Sequence, residues 1–268
     1  MSVPERKSMR DLAKVRSVGR AAIEQVRPLI MAGFDRRLTI SYKNEMDLVT
    51  EIDLASEKGI VSVIEESFPG DGILGEEGGE VRSGAEYRWV IDPLDGTTNF
   101  AHHFPFFCIS IGFEEKGVLK YGIIHDPIRC QTFEAENGKG ATLNGEPLWV
   151  SKTPKLSSAL LCTGFAAARR DDPQRNNMPF FDRFWKKCHG IRRTGSAALD
   201  LCYVATGALD GFWELGLSPW DTAAGSLIVR ESGGTVTDRD GSFHTLNSAC
   251  IVASNGLIHD EMISTLAI

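Results

Sequence analysis

The chain has 268 residues, of which 42% are hydrophobic, and its formal net charge is −7 from 36 acidic and 29 basic residues. This charge argues against direct nucleic-acid binding, because proteins that bind nucleic acids present basic surfaces. The 6 cysteines form no C-x-x-C pair, which disfavours a zinc site and a disulfide framework. No apolar run reaches membrane-spanning length. We therefore expect a cytoplasmic protein.

Two helices are predicted at the start of the chain. Apolar residues between Leu12 and Ile30 recur at helical spacing, which predicts an amphipathic helix over about 4–31. The polar run 43–46 predicts a loop. Thr50 can cap a second helix, which ends at the turn signal of 69–72.

Acidic residues follow the next two predicted strands. A short strand over 73–75 leads into Glu76, and a buried strand from residue 89 is expected to stop near Asp92, because Pro93 cannot donate to a sheet. Asp95 and the run 96–99 then predict a tight turn and a short helix capped by Thr or Asn. Paired carboxylates can bind divalent cations, and N–H groups at a helix start can bind phosphate. Taken alone, the pattern is more typical of a simple turn with a helix cap.

The rest of the chain predicts a meander followed by alternating strands and helices. Strands are predicted over 107–114, 118–125, 132–136 and 141–150, with Asn-Gly turns, and 151–158 connects to the second half. That half predicts strands over 159–163, 190–193, 211–215 and 251–253, and helices over 173–188, 197–205, 220–231 and 258–266. We expect a single catalytic domain over 1–268 with an α+β lobe over about 1–150 and an α/β lobe over about 151–268.

Three acidic motifs together resemble one enzyme family. They are Gly75-Glu76-Glu77, the run Asp92-Pro93-Leu94-Asp95-Gly96-Thr97-Thr98-Asn99, and Trp220-Asp221 leading to Gly233-Gly234. Asp221 alone would be only a favourable charge in the first turn of a helix. In this order the motifs resemble the inositol monophosphatase family from about residue 12 to 253, and runs 192–201 and 210–214 resemble its bacterial SuhB-like branch.

The resemblance implies a fold, a reaction and a set of site residues. The implied fold is α/β, a layered αβαβα sandwich of the inositol monophosphatase/fructose-1,6-bisphosphatase type, usually homodimeric. The implied reaction is Mg²⁺-dependent, Li⁺-sensitive hydrolysis of myo-inositol 1-phosphate and related polyol monophosphates by a metal-activated water. Implied ligands of two or three Mg²⁺ ions per active site are Glu76, Asp92, the Leu94 carbonyl, Asp95 and Asp221. Implied catalytic residues are Glu76, Thr97 and Asp53, and implied substrate contacts are Asp95, Gly96, Thr97, Ala197 and Glu214.

The sequence is also compatible with two other functions. Relatives within the fold hydrolyse fructose 1,6-bisphosphate, 3′-phosphoadenosine 5′-phosphate or histidinol phosphate, although an acid at Glu214 favours a substrate without a second phosphate. Alternatively, the chain is a SuhB-like transcription or ribosome-biogenesis factor that binds the transcription machinery independently of catalysis.

Overall fold

A computed structural model describes residues 10–36, 40–44, 47–165, 172 and 176–267, with the backbone alone for 40–44 and 47–50. The first element of the described residues is helix α1 (Leu12–Phe34), capped by the Asp11 side chain, which accepts the N–H of Ala13 at 3.0 Å. Strands β1 (Ile40–Asn44) and β2 (Asp47–Thr50) pair antiparallel. They replace part of the loop predicted over 43–46, of which residues 45 and 46 lie outside the described ones. Helix α2 (Glu51–Ser67) follows; the capping predicted for Thr50 concerns a side chain that is not described.

A large sheet dominates the first half of the chain. Its strands are β3 (Gly72–Gly75), β4 (Gly79–Val81), β5 (Tyr87–Asp95), β6 (Cys108–Glu115), β7 (Val118–Asp126), β8 (Gln131–Glu136), β9 (Gly140–Leu143) and β10 (Glu146–Pro147), with helix α3 (Thr97–Ala101) between β5 and β6. The strand order is β10-β9-β8-β7-β6-β5-β3-β4. Only the pair β3–β5 is parallel within this described sheet, so the predicted antiparallel meander is confirmed for β6 to β10.

A smaller sheet is built from the second half. Its elements in chain order are β11 (Leu160–Thr163), α4 (Met178–Trp185), β12 (Gly190–Arg192), α5 (Ala197–Ala205), β13 (Gly211–Leu215), α6 (Pro219–Glu231), β14 (Thr235–Thr237), β15 (Cys250–Ser254) and α7 (His259–Leu266). The strand order is β12-β11-β13-β15-β14. Strand β14 has no counterpart in the sequence prediction. The helix predicted over 173–188 is shorter in the structure, and residues 173–175 lie outside the described ranges.

Five layers result from the way the helices cover the two sheets. Helices α1 and α2 pack on one face of the large sheet, α5 and α6 fill the space between the sheets, and α4 and α7 cover the far face of the small sheet. The predicted αβαβα sandwich is therefore confirmed. None of the helices in the described ranges is both long and apolar enough to cross a bilayer.

Two glycines let α6 approach the large sheet closely. A Cβ at Gly112 of β6 would lie 2.9 Å from the Cβ of Ala223, and one at Gly122 of β7 would lie 2.9 Å from the Cα of Ala224. Both distances are shorter than side chains tolerate, so the backbones can meet only because these positions have no side chain. The close approach brings the first turn of α6 to the end of β5.

Candidate metal and phosphate site

The end of β5 carries the first two acids of the site. The strand does not stop at Asp92 as predicted. Asp92 pairs with Ser110 and Asp95 with Cys108, with an irregular register between them. Pro93 lies inside this irregularity, where no ladder N–H is required. The Leu94 N–H donates to Asp92 Oδ1 at 3.0 Å and thereby fixes the orientation of that carboxylate.

The third acid, Asp221, comes from the first turn of α6. Its Oδ2 accepts the Ser218 N–H at 2.6 Å in a capping box, so the same contact that starts the helix orients the side chain. Carboxylate oxygens of Asp92, Asp95 and Asp221 all lie within 4.8 Å of one another. The structure thus brings together acids from β5 and from α6, which are far apart in the chain.

Glu76 is a fourth acid whose charge acts on this trio through Asp92. It follows β3, the parallel neighbour of β5, and its N–H donates to the carbonyl of Ile91 at 3.2 Å. The pKa of Asp92 lies well above its ordinary value, first because the side chain is buried and then because of the negative charges of Glu76, Asp95 and Asp221. Three negative charges around one buried carboxyl group favour the binding of a cation there.

The turn after Asp95 forms the side of the site predicted to bind phosphate. Gly96 precedes α3 with a φ of 98°, and a Cβ there would lie 3.0 Å from the Phe106 carbonyl oxygen, so only glycine fits. The N-cap is therefore Gly96, and not Thr or Asn as predicted. The Thr97 hydroxyl lies 3.0 Å from Asp53 Oδ1 and 3.1 Å from the Leu94 carbonyl oxygen. Asp53 is fully buried, so this contact joins α2 to the turn.

A cavity of about 110 Å³ opens beside the acids and contains the other predicted substrate contacts. It is lined by Asp95, Gly164, Arg193, Gly195, Ser196, Ala197, Asp200, Glu214, Leu217 and Asp221. Asp95 Oδ2 accepts the Ser196 hydroxyl at 2.6 Å and the Ala198 N–H at 2.7 Å. These donors partly offset the rise in the pKa of Asp95 that burial causes.

Glu214 and Asp200 make the floor of this cavity acidic. Burial, followed by the charges of Asp221 and Asp200, raises the pKa of Glu214 well above its ordinary value. A Cβ at Gly164 would lie 2.0 Å from Glu214 Oε2, so the absence of a side chain there makes room for the carboxylate. The exposed Arg193 also lines the cavity. Burial raises the pKa of Asp200 as it does that of Glu214, and the positive charge of Arg193 opposes both rises.

Sequence reasoning missed two residues next to the site. Glu57 accepts hydrogen bonds from the turn that carries Glu76, and Asp200 lies under the cavity with the Thr194 hydroxyl donating to it. Glu57 could have been found, because it lies one helical turn after Asp53 and therefore on the same face of α2.

Known proteins resemble this chain over nearly its full length. A model of the inositol monophosphatase family matches residues 11–267. Nus factor SuhB of Pseudomonas aeruginosa is 45% identical over 233 residues, covering 85% of this chain and 86% of that protein. An inositol-1-monophosphatase of Synechocystis is 46% identical over 222 residues, covering 82% and 77%.

Solved structures agree with these sequence matches. The extragenic suppressor protein suhB from Bartonella henselae superposes with a TM-score of 0.89 at 36% identity, covering 94% of this chain and 98% of that one. An inositol monophosphatase from Anabaena superposes with a TM-score of 0.87 at 41% identity, covering 95% and 96%.

Proposed function

The chain belongs to the inositol monophosphatase family, and we propose that it is a Mg²⁺-dependent, Li⁺-sensitive phosphatase of myo-inositol 1-phosphate and related polyol monophosphates. The observation that carries this proposal is the convergence of Asp92, Asp95 and Asp221 within 4.8 Å beside a small polar cavity. The similarity to the Synechocystis inositol-1-monophosphatase supports the choice of substrate.

The donor set fits a small hard cation. All its side-chain groups are carboxylates, and each charge that raises the pKa of Asp92 is acidic. Mg²⁺ prefers oxygen ligands of this kind. We assign the binding of two or three Mg²⁺ ions to Glu76, Asp92, the Leu94 carbonyl oxygen, Asp95 and Asp221. Bound Mg²⁺ would polarise the phosphoryl group and lower the pKa of an attacking water.

The protein groups around the phosphate would then position it and move protons. The N–H groups of Gly96 and Thr97 start a helix and have no acceptor within that helix, so they can donate to phosphate oxygens. The Thr97 hydroxyl donates to buried Asp53 at 3.0 Å. Thr97 Oγ1 can therefore accept a proton from the attacking water as its own proton passes to Asp53. Glu76 is the alternative proton acceptor.

The cavity floor selects the rest of the substrate. Polyol hydroxyls can hydrogen-bond to Asp95 and Glu214 across the space beside Ala197, which is 8% exposed. A second phosphate would meet the carboxyl groups of Glu214 and Asp200, which disfavours fructose 1,6-bisphosphate and 3′-phosphoadenosine 5′-phosphate.

A kinetic panel tests this proposal. Purified protein in saturating Mg²⁺ is given myo-inositol 1-phosphate, fructose 1,6-bisphosphate, 3′-phosphoadenosine 5′-phosphate and histidinol phosphate, with and without Li⁺. We expect the highest kcat/KM for the inositol phosphate and inhibition by Li⁺. A preference for another ester would overturn the substrate assignment, and wild-type turnover by Asp92→Asn would overturn the metal site.

A second role is favoured by the SuhB relatives. The Pseudomonas aeruginosa protein and a 42% identical Pasteurella multocida protein are both Nus factor SuhB. We therefore also propose a cytoplasmic homodimer that binds the transcription machinery independently of catalysis, with no direct contact to nucleic acid or membrane. A pull-down with Asp221→Asn tests this, since binding must survive the loss of activity, and light scattering tests the dimer. Binding that is lost with activity would contradict independence, and a failure of the wild-type chain to capture any transcription protein would eliminate this role.

A further inference from the structure

Glu57 connects helix α2 to the turn that carries Glu76. Its side chain is buried, with 6% of the residue exposed. Its Oε2 accepts the N–H of Glu77 at 2.9 Å and its Oε1 accepts the N–H of Gly78 at 2.6 Å. Because two consecutive backbone N–H groups donate to the two oxygens of one side chain, these contacts fix the path of the backbone directly after Glu76.

The turn is shaped to receive this carboxylate. A Cβ at Gly75 would lie 2.5 Å from Glu57 Oε2, and a Cβ at Gly78 would lie 2.6 Å from Oε1. Neither Gly75 nor Gly78 has a positive φ, so the left-handed region does not explain the glycines. The space that the Glu57 carboxylate occupies does explain them.

On its outer side the turn is joined to the sheet by the antiparallel pairing of β3 with β4. It leads into β4, whose three residues are all exposed and which forms the edge of the large sheet. On its inner side, the Glu76 N–H donates to the Ile91 carbonyl at 3.2 Å. The contacts that hold the backbone around Glu76 therefore include the hydrogen bond to the Ile91 carbonyl, the β3–β4 pairing and the two-point contact from Glu57.

We propose that Glu57 is a positioning residue that holds Glu76 in place to bind a divalent cation together with Asp92. Glu57 itself touches neither the cation nor the substrate. It lies one turn after Asp53, which accepts the Thr97 hydroxyl, so one face of α2 supports both the Glu76 turn and the Thr97 turn. The inference rests on the proposed metal site. It adds Glu57 as a residue that controls the affinity of that site for Mg²⁺ by holding Glu76 in place.

The direct test is Mg²⁺ binding to substrate-free protein, measured by isothermal titration calorimetry. Glu57→Gln keeps one acceptor oxygen but places an amide NH₂ against the second N–H. We expect Mg²⁺ to bind about 10- to 100-fold more weakly, as when other groups that orient metal ligands are removed. The KM for substrate at saturating Mg²⁺ is expected to stay within about twofold, because Glu57 contacts no part of the proposed substrate site.

A matched control and a second variant separate positioning from folding. Glu65 lies on the same helix but pairs with Arg82 at the surface. The control variant Glu65→Gln must therefore leave Mg²⁺ affinity unchanged. Gly78→Ala displaces the Glu57 carboxylate without changing it, and it must weaken Mg²⁺ binding as Glu57→Gln does. This second variant keeps the test open if Glu57→Gln folds poorly.

A double-mutant cycle between Glu57 and Glu76 tests whether Glu57 acts on Mg²⁺ binding through Glu76. In a Glu76→Gln background, Glu57→Gln must cause no further loss of Mg²⁺ affinity, because the ligand that it positions has already been removed. Equal losses in both backgrounds, or wild-type affinity in Glu57→Gln, would refute the proposal. If wild-type protein bound no Mg²⁺, the proposed function itself would fail, which is a distinguishable result.

Discussion

Asp200 is a buried carboxyl group whose ionisation we expect to control the pH dependence of stability. It lies in α5 with 1% of the residue exposed, and its side chain accepts the Thr194 hydroxyl. Burial raises its pKa from 3.8 to about 7, whereas hydrogen bonds from Thr194 and Cys162 oppose the rise and the charge of Asp95 adds to it.

The sign and size of the effect follow from this pKa. In the pH range between 3.8 and about 7, the folded protein keeps a proton on Asp200 that the unfolded chain has lost. The stabilising contribution is therefore complete below the unfolded pKa and falls as the pH rises through the folded pKa. Across this interval the loss is about 4 kcal/mol, since each tenfold change in proton affinity corresponds to about 1.4 kcal/mol.

Asp200→Asn removes the ionisation and keeps an oxygen that can accept the Thr194 hydroxyl. We expect the variant and the wild type to have similar free energies of unfolding near pH 4, and the variant to become more stable by up to about 4 kcal/mol near pH 8. Urea unfolding of both proteins across this range, in saturating Mg²⁺, measures the difference. Asp260→Asn is the control, because Asp260 is exposed on α7. Parallel curves for Asp200→Asn and wild type would refute the reasoning.

Three further substitutions test other parts of the site. Asp53→Asn removes the acceptor of the Thr97 proton, so kcat is expected to fall at least about 100-fold while Mg²⁺ affinity by calorimetry is unchanged; an effect confined to KM would contradict the role. Glu214→Gln is expected to raise the KM for inositol 1-phosphate up to about 10-fold, because an NH₂ group replaces a carboxyl oxygen that we propose binds a ring hydroxyl, and to weaken discrimination against fructose 1,6-bisphosphate in competition assays. Ser196→Ala removes the cap of α5 and a donor to Asp95, so we expect a loss of about 1 kcal/mol in urea unfolding together with weaker Mg²⁺ binding. Unchanged stability in this variant would show that the Ser196 contacts are not important.

Local sequence signals predicted much of the fold. Helix α5 begins after Ser196 as predicted, because Ser196 accepts the N–H of Leu199 at 3.3 Å, and a serine before an apolar run is a strong start signal. The predicted Asn-Gly turns of the meander lie between β8 and β9 and between β9 and β10. Gly138 and Gly145 both have the positive φ that such turns require.

The errors arose where neighbouring chain segments override a local signal. Pro93 predicted the end of a strand, yet β5 continues to Asp95 because the irregular register removes the need for an N–H there. The β1–β2 pair was missed because a polar run does not reveal pairing between adjacent strands.

The complete acidic cluster could be predicted from the sequence only through the family resemblance. No periodicity indicates that Asp221 reaches Asp92, since their proximity depends on Gly112 and Gly122 admitting α6 against the large sheet. For Glu57, the helical spacing from Asp53 indicates which face of α2 it lies on, but the two backbone N–H groups that it accepts become visible only in the folded turn.

The most direct test of the acidic cluster is a crystal structure with Mn²⁺ in place of Mg²⁺, together with myo-inositol 1-phosphate, using anomalous scattering to locate the ions. We predict ions bound by carboxylate oxygens of Asp92, Asp95 and Asp221, with phosphate oxygens at the N–H groups of Gly96 and Thr97. Ions bound elsewhere while these carboxylates hold none, at a concentration that saturates activity, would contradict the proposed phosphatase site.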